Sequence, residues 1–148
     1  MLTYALFAAA LIQTPAARPC PIVENFTHLY FDSGSAELSA RARRRLDVWR
    51  GIIARQRFPV REIRLAGHTD RVGTREADLR LSSRRARAVQ AYLLRHGILR
   101  ERITIEAFGE DLLYVDTDDE VPEADNRVVQ LLMVPDAREP RCYPARGG

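Results

Sequence analysis

The segment Val128–Val134 is apolar at almost every position, and this strongly limits how the 148-residue chain can fold. A strand with one face in water alternates apolar and polar side chains, whereas a strand covered on both faces reads as a continuous apolar run. We therefore expect a strand over Arg127–Val134, buried on both faces in the interior of a sheet rather than at its edge.

Three further strands and two helices are expected before this segment, because apolar residues alternate in some stretches and recur at helical spacing in others. The expected strands are Phe26–Asp32, Arg61–Gly67 and Arg102–Phe108, and the expected helices run from about Ser39 to Gln56 and from Arg75 to His96. Gly97 is a natural end for the second helix. The stretch from Gly109 to Asp125 has no clear period and is expected to be a loop.

This order of elements predicts an α/β (α+β) fold, a βαβαββ two-layer sandwich with a mixed four-stranded sheet and both helices on one face. The last strand has no helix before it, so we expect it to insert antiparallel between earlier strands. If it lies beside the first strand, Cys20 and Cys142 come near one another. A disulfide between them would close a very long loop. In the chain-entropy model such a disulfide stabilises the folded state, because it restricts the unfolded chain.

The two ends of the chain differ in character from its middle. Residues 1–16 carry no charged side chain, and Leu2–Ile12 is an apolar run too short to cross a bilayer but typical of a secretory signal. We expect a signal peptide over residues 1–16, an N-terminal segment over 17–25, the domain over 26–134 and an irregular tail over 135–148. The mature chain would then contain no transmembrane segment.

The most informative motif is Gly67-His68-Thr69-Asp70, followed by Gly73 and then by Leu81-Ser82-Ser83-Arg84-Arg85-Ala86. A carboxylate accepts hydrogen bonds from an ammonium group, and a guanidinium binds a carboxylate with two parallel bonds. Asp70 and Arg85 could therefore clamp a zwitterion. From spacing alone, a structural ion pair between these two residues is the favoured interpretation.

These motifs resemble the OmpA-like C-terminal domain that OmpA, peptidoglycan-associated lipoprotein and MotB share. The resemblance extends over residues 26–134 in collinear order. Upstream of the Gly67–Gly73 block it includes Phe31-Asp32-Ser33-Gly34-Ser35-Ala36-Glu37-Leu38. The Leu81–Ala86 block continues with Val89, Tyr92-Leu93 and Gly97-Ile98, and two further blocks follow, Phe108-Gly109-Glu110 and Asn126-Arg127. A single Gly-His-Thr-Asp would be a weak signal, but five blocks in order are a specific one.

The resemblance implies binding to the peptide stem of peptidoglycan, through the ammonium and carboxylate groups at the free end of meso-diaminopimelate. Asp70 matches the family residue that would take the ammonium, and Arg85 the one that would take the carboxylate. Asp32, Thr69 and Arg127 would line the same pocket. Structural roles are expected for Gly67, His68, Gly73 and Asn126. The implied protein is periplasmic, associated with the outer membrane or cell wall, needs no cofactor or metal, and is not an enzyme.

Three departures from the family pattern affect the expected site, and one is that the family's Pro is missing from Glu110-Asp111-Leu112-Leu113. The family has Asn where this chain has Asp78, which would add negative charge beside a ligand carboxylate and weaken binding or change selectivity. Val128 replaces the second Arg of the family's Asn-Arg-Arg block. A degenerate domain that binds a protein partner in an envelope complex is therefore an open alternative.

Other classes of function are less well supported by the sequence. All 23 basic residues are arginine, and a basic surface can bind nucleic acid, but no recognisable motif or aromatic platform accompanies these arginines, so no nucleic-acid partner is expected. A cell-wall hydrolase that uses Asp32 and Asp70 as acid and base would need a nucleophile or a metal as well. The acidic run at 116–120 lacks the glycine of a calcium loop and is expected to be solvated.

Overall fold

The computed structural model describes residues 26–54 and 60–136. Within them the chain forms four strands and two α-helices, with a short 3-10 helix before each of the last two strands. Their bounds are β1 Phe26–Tyr30, α1 Ala40–Ala54, β2 Val60–His68, α2 Arg75–Arg95, β3 Ile103–Gly109 and β4 Val128–Pro135. The expected order of strands and helices is confirmed.

Several predictions concern residues outside the described part of the chain. These are the signal peptide over 1–16, the segment 17–25, the pairing of Cys20 with Cys142, the end of the first helix at Gln56 and nearly all of the C-terminal tail. Within the described part, neither α1 nor α2 has the length and apolar content that crossing a membrane requires.

The four strands form one mixed sheet in the order β1-β4-β2-β3. β4 is antiparallel to β1 on one side and to β2 on the other, while β2 and β3 run parallel. The last strand therefore lies inside the sheet and antiparallel to its neighbours, as expected. The predicted fold class, a mixed four-stranded sheet with two helices, is confirmed.

The two faces of β4 are buried to different degrees, which corrects the expectation of complete burial. Val129, Leu131 and Met133 face the core and are all buried, whereas Leu132 and Val134 on the other face are only half-buried. Alternate residues of a strand point to opposite faces, and the hydrophobic core lies between the sheet and the helices. The apolar residues of the outer face are therefore left partly in contact with solvent.

The core lies between the inner face of the sheet and both helices. It includes Leu46 and Trp49 from α1, Val89 and Leu93 from α2, and Leu65 from β2. Each of these side chains is at most 8% exposed. Burying such a side chain contributes about 1.5–3 kcal/mol, so this one cluster holds the helices at a fixed position over the strands.

The ends of α2 are defined by local hydrogen bonds. Thr74 is the N-cap, and its hydroxyl accepts from the backbone N–H of Ala77 at 3.3 Å. At the other end Gly97 has φ +87°, and the N–H of Ile98 donates to the carbonyl of Leu93 at 3.1 Å, in the pattern of a glycine C-cap. These caps set the helix boundaries.

Gly67 in β2 allows the sheet and α2 to approach closely. A Cβ atom at this position would lie 2.3 Å from the backbone carbonyl oxygen of Ser82. Backbone atoms cannot swing aside as the tip of a flexible side chain can. The glycine thus determines how closely the end of β2, where the Gly-His-Thr-Asp motif begins, packs against α2.

We predict that Gly67→Ala lowers the free energy of unfolding by about 2–3 kcal/mol or more, because the added methyl overpacks this contact. Gly51→Ala is the matched control, since a Cβ there meets no atom within 4 Å. In the interior of α1 this control should raise stability by about 0.5–1 kcal/mol. Urea unfolding followed by circular dichroism measures both effects, and equal stabilities for the two variants would contradict the prediction.

Candidate functional site

Asp70 follows the end of β2 and is held by the chain that leads into β4. Its side chain is buried, and its Oδ2 atom accepts hydrogen bonds from Arg127 Nη1 at 2.8 Å and from the backbone N–H of Glu123 at 3.3 Å. Both bonds fall on the same carboxylate oxygen. Because β2 and β4 are neighbours in the sheet, this ion pair joins the ends of two adjacent strands.

Arg85 of α2 is completely buried, and its guanidinium donates to three backbone carbonyls. Nε bonds to Ser35 at 2.9 Å, Nη1 to His68 at 3.0 Å and Nη2 to Asp32 at 3.0 Å. The group also lies over the ring of Phe31, 5.4 Å from its centroid. One side chain therefore connects α2 to the β1–α1 connection and to the end of β2.

Burial lowers the pKa of Arg85 to about 10, and the nearby Asp70 carboxylate opposes this shift. The guanidinium is therefore still charged at neutral pH. A guanidinium has five N–H donors, and three of them reach the carbonyls described above. The remaining two, one on each terminal nitrogen, are the donors with which Arg85 could bind a ligand.

Asp70 and Arg85 both lie in the part of the chain that the structure describes, and they do not form the direct ion pair that the sequence favoured. Asp70 pairs with Arg127 instead, at 2.8 Å, and Arg85 bonds to backbone carbonyls. The two residues still lie close together, since Arg85 Nη1 contacts the carbonyl of His68, two positions before Asp70. The site therefore contains two opposite charges that do not neutralise one another by direct contact.

Asp78 lies in the first turn of α2 and belongs to the same group of buried charges. Burial raises its pKa to about 6, with the negative charges of Glu110 and Asp70 adding to the rise and the Thr69 hydroxyl and Arg85 offsetting part of it. Asp78 is 2% exposed and Thr69 is fully buried. Neither Asp78 Oδ2 nor Thr69 Oγ1 has a partner with hydrogen-bond geometry among the described residues.

Asn126 organises the loop that surrounds the site from the β4 side. It is fully buried, and its Oδ1 accepts from the backbone N–H groups of Tyr114 at 2.8 Å and Val115 at 2.9 Å. Its Nδ2 donates to the carbonyl of Val115 at 2.8 Å. These bonds hold this part of the acidic loop beside Asn126, which directly precedes Arg127 in the chain.

The other residues proposed from the sequence lie at the margin of this site. His68 ends β2; its Nδ1 is 2.9 Å from the carbonyl oxygen of Leu112, its ring stacks on Phe108, and burial lowers its pKa. Gly73 has φ +121° in the turn before α2. The Asp32 side chain is exposed, so its contact with Arg85 is made by its backbone.

Two contacts at the site involve residues that sequence reasoning did not single out. Ser82 donates to Leu79 and accepts from the backbone N–H of Gly109 at 3.1 Å, and Ser35 contributes a carbonyl to Arg85. Ser82 belongs to the Leu-Ser-x-x-Arg-Ala block, so its place in that motif was a usable signal. Ser35 likewise lies in the Phe31–Leu38 block, but its contact is made by the backbone carbonyl, so its side chain gives no signal of it.

The acidic loop is attached to the β2–α2 turn by Arg71. Its guanidinium donates to the carbonyl of Thr117 and lies within 4.0 Å of the carboxylates of Asp116 and Asp119. In the described part of the chain, no three His, Cys, Asp or Glu side chains are grouped in a way that could bind a metal ion. The exposed carboxylates of this loop are thus partly balanced by one arginine.

These features define a small α+β domain in which a buried arginine and two buried carboxylates meet at the end of a central strand. The chain belongs to the OmpA family, whose profile matches residues 30–127. The matched range begins in β1 and ends at Arg127, so it contains every residue of the site described above.

The chain is also similar in sequence to proteins of known name. The chain is 35% identical over 105 residues to the peptidoglycan-associated lipoprotein of Pseudomonas aeruginosa, covering 71% of this chain and 61% of that protein. It is 36% identical over 73 residues to outer membrane porin F of Pseudomonas fluorescens, covering 49% of this chain and 22% of the porin. The chain thus spans less than two thirds of the length of either relative.

Two solved structures illustrate the likeness in fold. The peptidoglycan-associated lipoprotein from Burkholderia pseudomallei has a TM-score of 0.60 at 24% identity, and the match covers 72% of this chain and 89% of that structure's chain. The C-terminal domain of Helicobacter pylori MotB has a TM-score of 0.65 at 19% identity, and the match covers 76% of this chain and 87% of that structure's chain. At these identities the likeness concerns the fold.

We predict that Asp78→Asn raises the free energy of unfolding at pH 7.5 by roughly 1–3 kcal/mol and has little effect at pH 4. The pKa of Asp78 in the folded state, about 6, is above its ordinary value of 3.8, so the folded state binds the proton more tightly. Stability is therefore lost as pH rises from about 4 to 6, and removing the charge abolishes this loss. Urea unfolding at the two pH values measures it; an equal effect at both would contradict the prediction.

Proposed function

We propose that this domain binds peptidoglycan non-covalently in the periplasm, through the diaminopimelate group of the stem peptide, and so tethers the cell envelope. The observation that carries the proposal is that Arg85 and Asp70 are both buried and lie close enough for their opposite charges to interact without a direct ion pair. Two of the five N–H groups of Arg85 are not used by the three backbone carbonyls. Both hydrogen bonds to Asp70 fall on Oδ2, which leaves Oδ1 available.

The free end of diaminopimelate carries an ammonium and a carboxylate on one carbon, which is the complement of this arrangement. The carboxylate would accept from the two free N–H groups of Arg85, and the ammonium would donate to Asp70. Charge-assisted hydrogen bonds of this kind are shorter and stronger than neutral ones. Burial strengthens them further, because little water is present to screen the charges.

A binding role fits the site better than catalysis does. The hydrolase alternative requires Asp32 and Asp70 to act together, but the Asp32 side chain is exposed while Asp70 is buried and paired with Arg127 at 2.8 Å. A carboxylate offers only hydrogen-bond acceptors, which suits recognition of an ammonium group. We therefore propose that the protein is not an enzyme.

The proposed location rests on the family and on the names of its members. Relatives of this chain are named outer membrane porin F and outer membrane protein A, and one structure with the same fold is described as the periplasmic domain of MotB. A periplasmic protein associated with the outer membrane or the cell wall would meet peptidoglycan directly.

One feature favours the second candidate, a domain that also or instead binds an envelope protein. The outer side of the sheet carries three aromatic rings that are each 43–45% exposed, those of Phe26, Tyr30 and Tyr114. All three contact the ring of His28. Aromatic side chains are enriched at the centres of protein interfaces. This patch lies on the opposite side of the sheet from the helices.

We predict that the purified chain sediments with sacculi that contain meso-diaminopimelate and that Asp70→Asn weakens this binding about tenfold or more, because a neutral amide cannot pair with the ligand ammonium. Asp118→Asn is the matched control, since it makes the same chemical change at an exposed position of the acidic loop. Excess free meso-diaminopimelate should release the wild-type chain. A pelleting assay with circular dichroism as a folding check measures all three.

Arg85→Ala is a poor choice for this test, because it would remove the donors of three backbone carbonyls and unfold the domain. Equal sedimentation of Asp70→Asn and the wild type would contradict the clamp. A folded wild-type chain that stays in solution would contradict peptidoglycan binding and would favour the protein-partner alternative.

A further inference from the structure

Asp78 adds to the site a buried acceptor, Oδ2, that has no partner in full hydrogen-bond geometry among the described residues, although the Thr69 hydroxyl lies close enough to lower the pKa of Asp78. Both side chains are at most 2% exposed. Buried polar atoms without partners are rare in folded proteins and cost about 1–3 kcal/mol. A ligand that brings a hydrogen-bond donor to this point would remove the cost.

Asp78 also changes the net charge of the site by one unit. Asp70 is balanced by Arg127 at 2.8 Å, and the negative charge of Asp78 balances the positive charge of Arg85, offsetting part of the fall in its pKa that burial causes. With Asp78 ionised the four groups sum to zero. With the Asn that the family pattern has at this position they would sum to one positive charge, which is the better complement of a ligand that carries a free carboxylate.

The hydrogen-bonding groups of the site lead to the same conclusion. A carboxylate has only acceptors. One bound to Arg85 would also lie near the negative charge of Asp78, which acts on Arg85, and would be repelled. A carboxamide has an oxygen that accepts from Arg85 and an NH₂ group that donates to Asp78 Oδ2. The ammonium on the same carbon remains available to Asp70.

We propose that Asp78 makes this site selective for stem peptides in which the free carboxyl of diaminopimelate is amidated, in preference to those in which it is a carboxylate. This inference rests on the function proposed above and names its substrate class. Asp78 is thus the residue that determines specificity, while Asp70 and Arg85 bind the parts that both ligands share.

The selectivity should depend on pH. The groups that face Asp78 are Asp70 and the Thr69 hydroxyl from the β2–α2 turn, Glu110 from the end of β3, and Arg85 from its own helix. Below pH 6 Asp78 takes up a proton, loses its charge and can donate to a ligand carboxylate. The preference for the amide should therefore decrease in acid.

The test compares two synthetic stem tripeptides that end in diaminopimelate, one with the free carboxyl and one with its amide, by isothermal titration of the full chain. At pH 7.5 the wild type should bind the amide about tenfold or more tightly than the acid. Asp78→Asn should lose or reverse this ranking, and Asp118→Asn should keep it. At pH 5 the wild type should show a smaller ratio, a readout that does not depend on any variant folding.

The outcomes separate this inference from the function on which it rests. If the wild type binds the free acid as tightly as the amide, or if Asp78→Asn keeps the wild-type ranking, the selectivity is overturned and peptidoglycan binding stands. If the wild type binds neither peptide and does not sediment with sacculi, both proposals are overturned.

Discussion

The buried guanidinium of Arg85 is the interaction on which the rest of the site depends. Its three hydrogen bonds reach carbonyls on both sides of α1, at Asp32 and Ser35 before the helix and at His68 after it. Removing such a group leaves three carbonyls without their donor, that of His68 in a buried position, which costs more than the net gain of any one bond. The arginine is therefore part of the folded framework as well as the proposed ligand contact.

A second set of contacts brings the late part of the chain to the same place. Arg127 pairs with Asp70 at 2.8 Å, and the adjacent Asn126 binds the backbone of Tyr114 and Val115. The Arg127–Asp70 pair depends on β4 lying next to β2, since this position brings Arg127 beside the end of β2. The insertion of the last strand thus completes the site as well as the sheet.

Asp78 shows why a single departure from a family pattern has to be judged in its surroundings. In the sequence it is one more acid on a helix already rich in charge. In the structure it is buried next to Asp70, Arg85 and Glu110, and burial raises its pKa to about 6. The charge that would weaken one ligand becomes, in these surroundings, a specific acceptor for another.

The sequence by itself determined the elements and the motif residues, because these depend on local patterns. Apolar spacing defined α2 to within one residue, the continuous apolar run of β4 indicated a strand inside the sheet, and the Gly-His-Thr-Asp block identified Asp70. Only the tertiary structure decided the partners: Asp70 bonds to Arg127 rather than Arg85, and the Thr69 hydroxyl lies beside Asp78 without full hydrogen-bond geometry. These pairings join residues up to 57 positions apart, and their geometry depends on how closely α2 packs on β2 at Gly67, which no local pattern encodes.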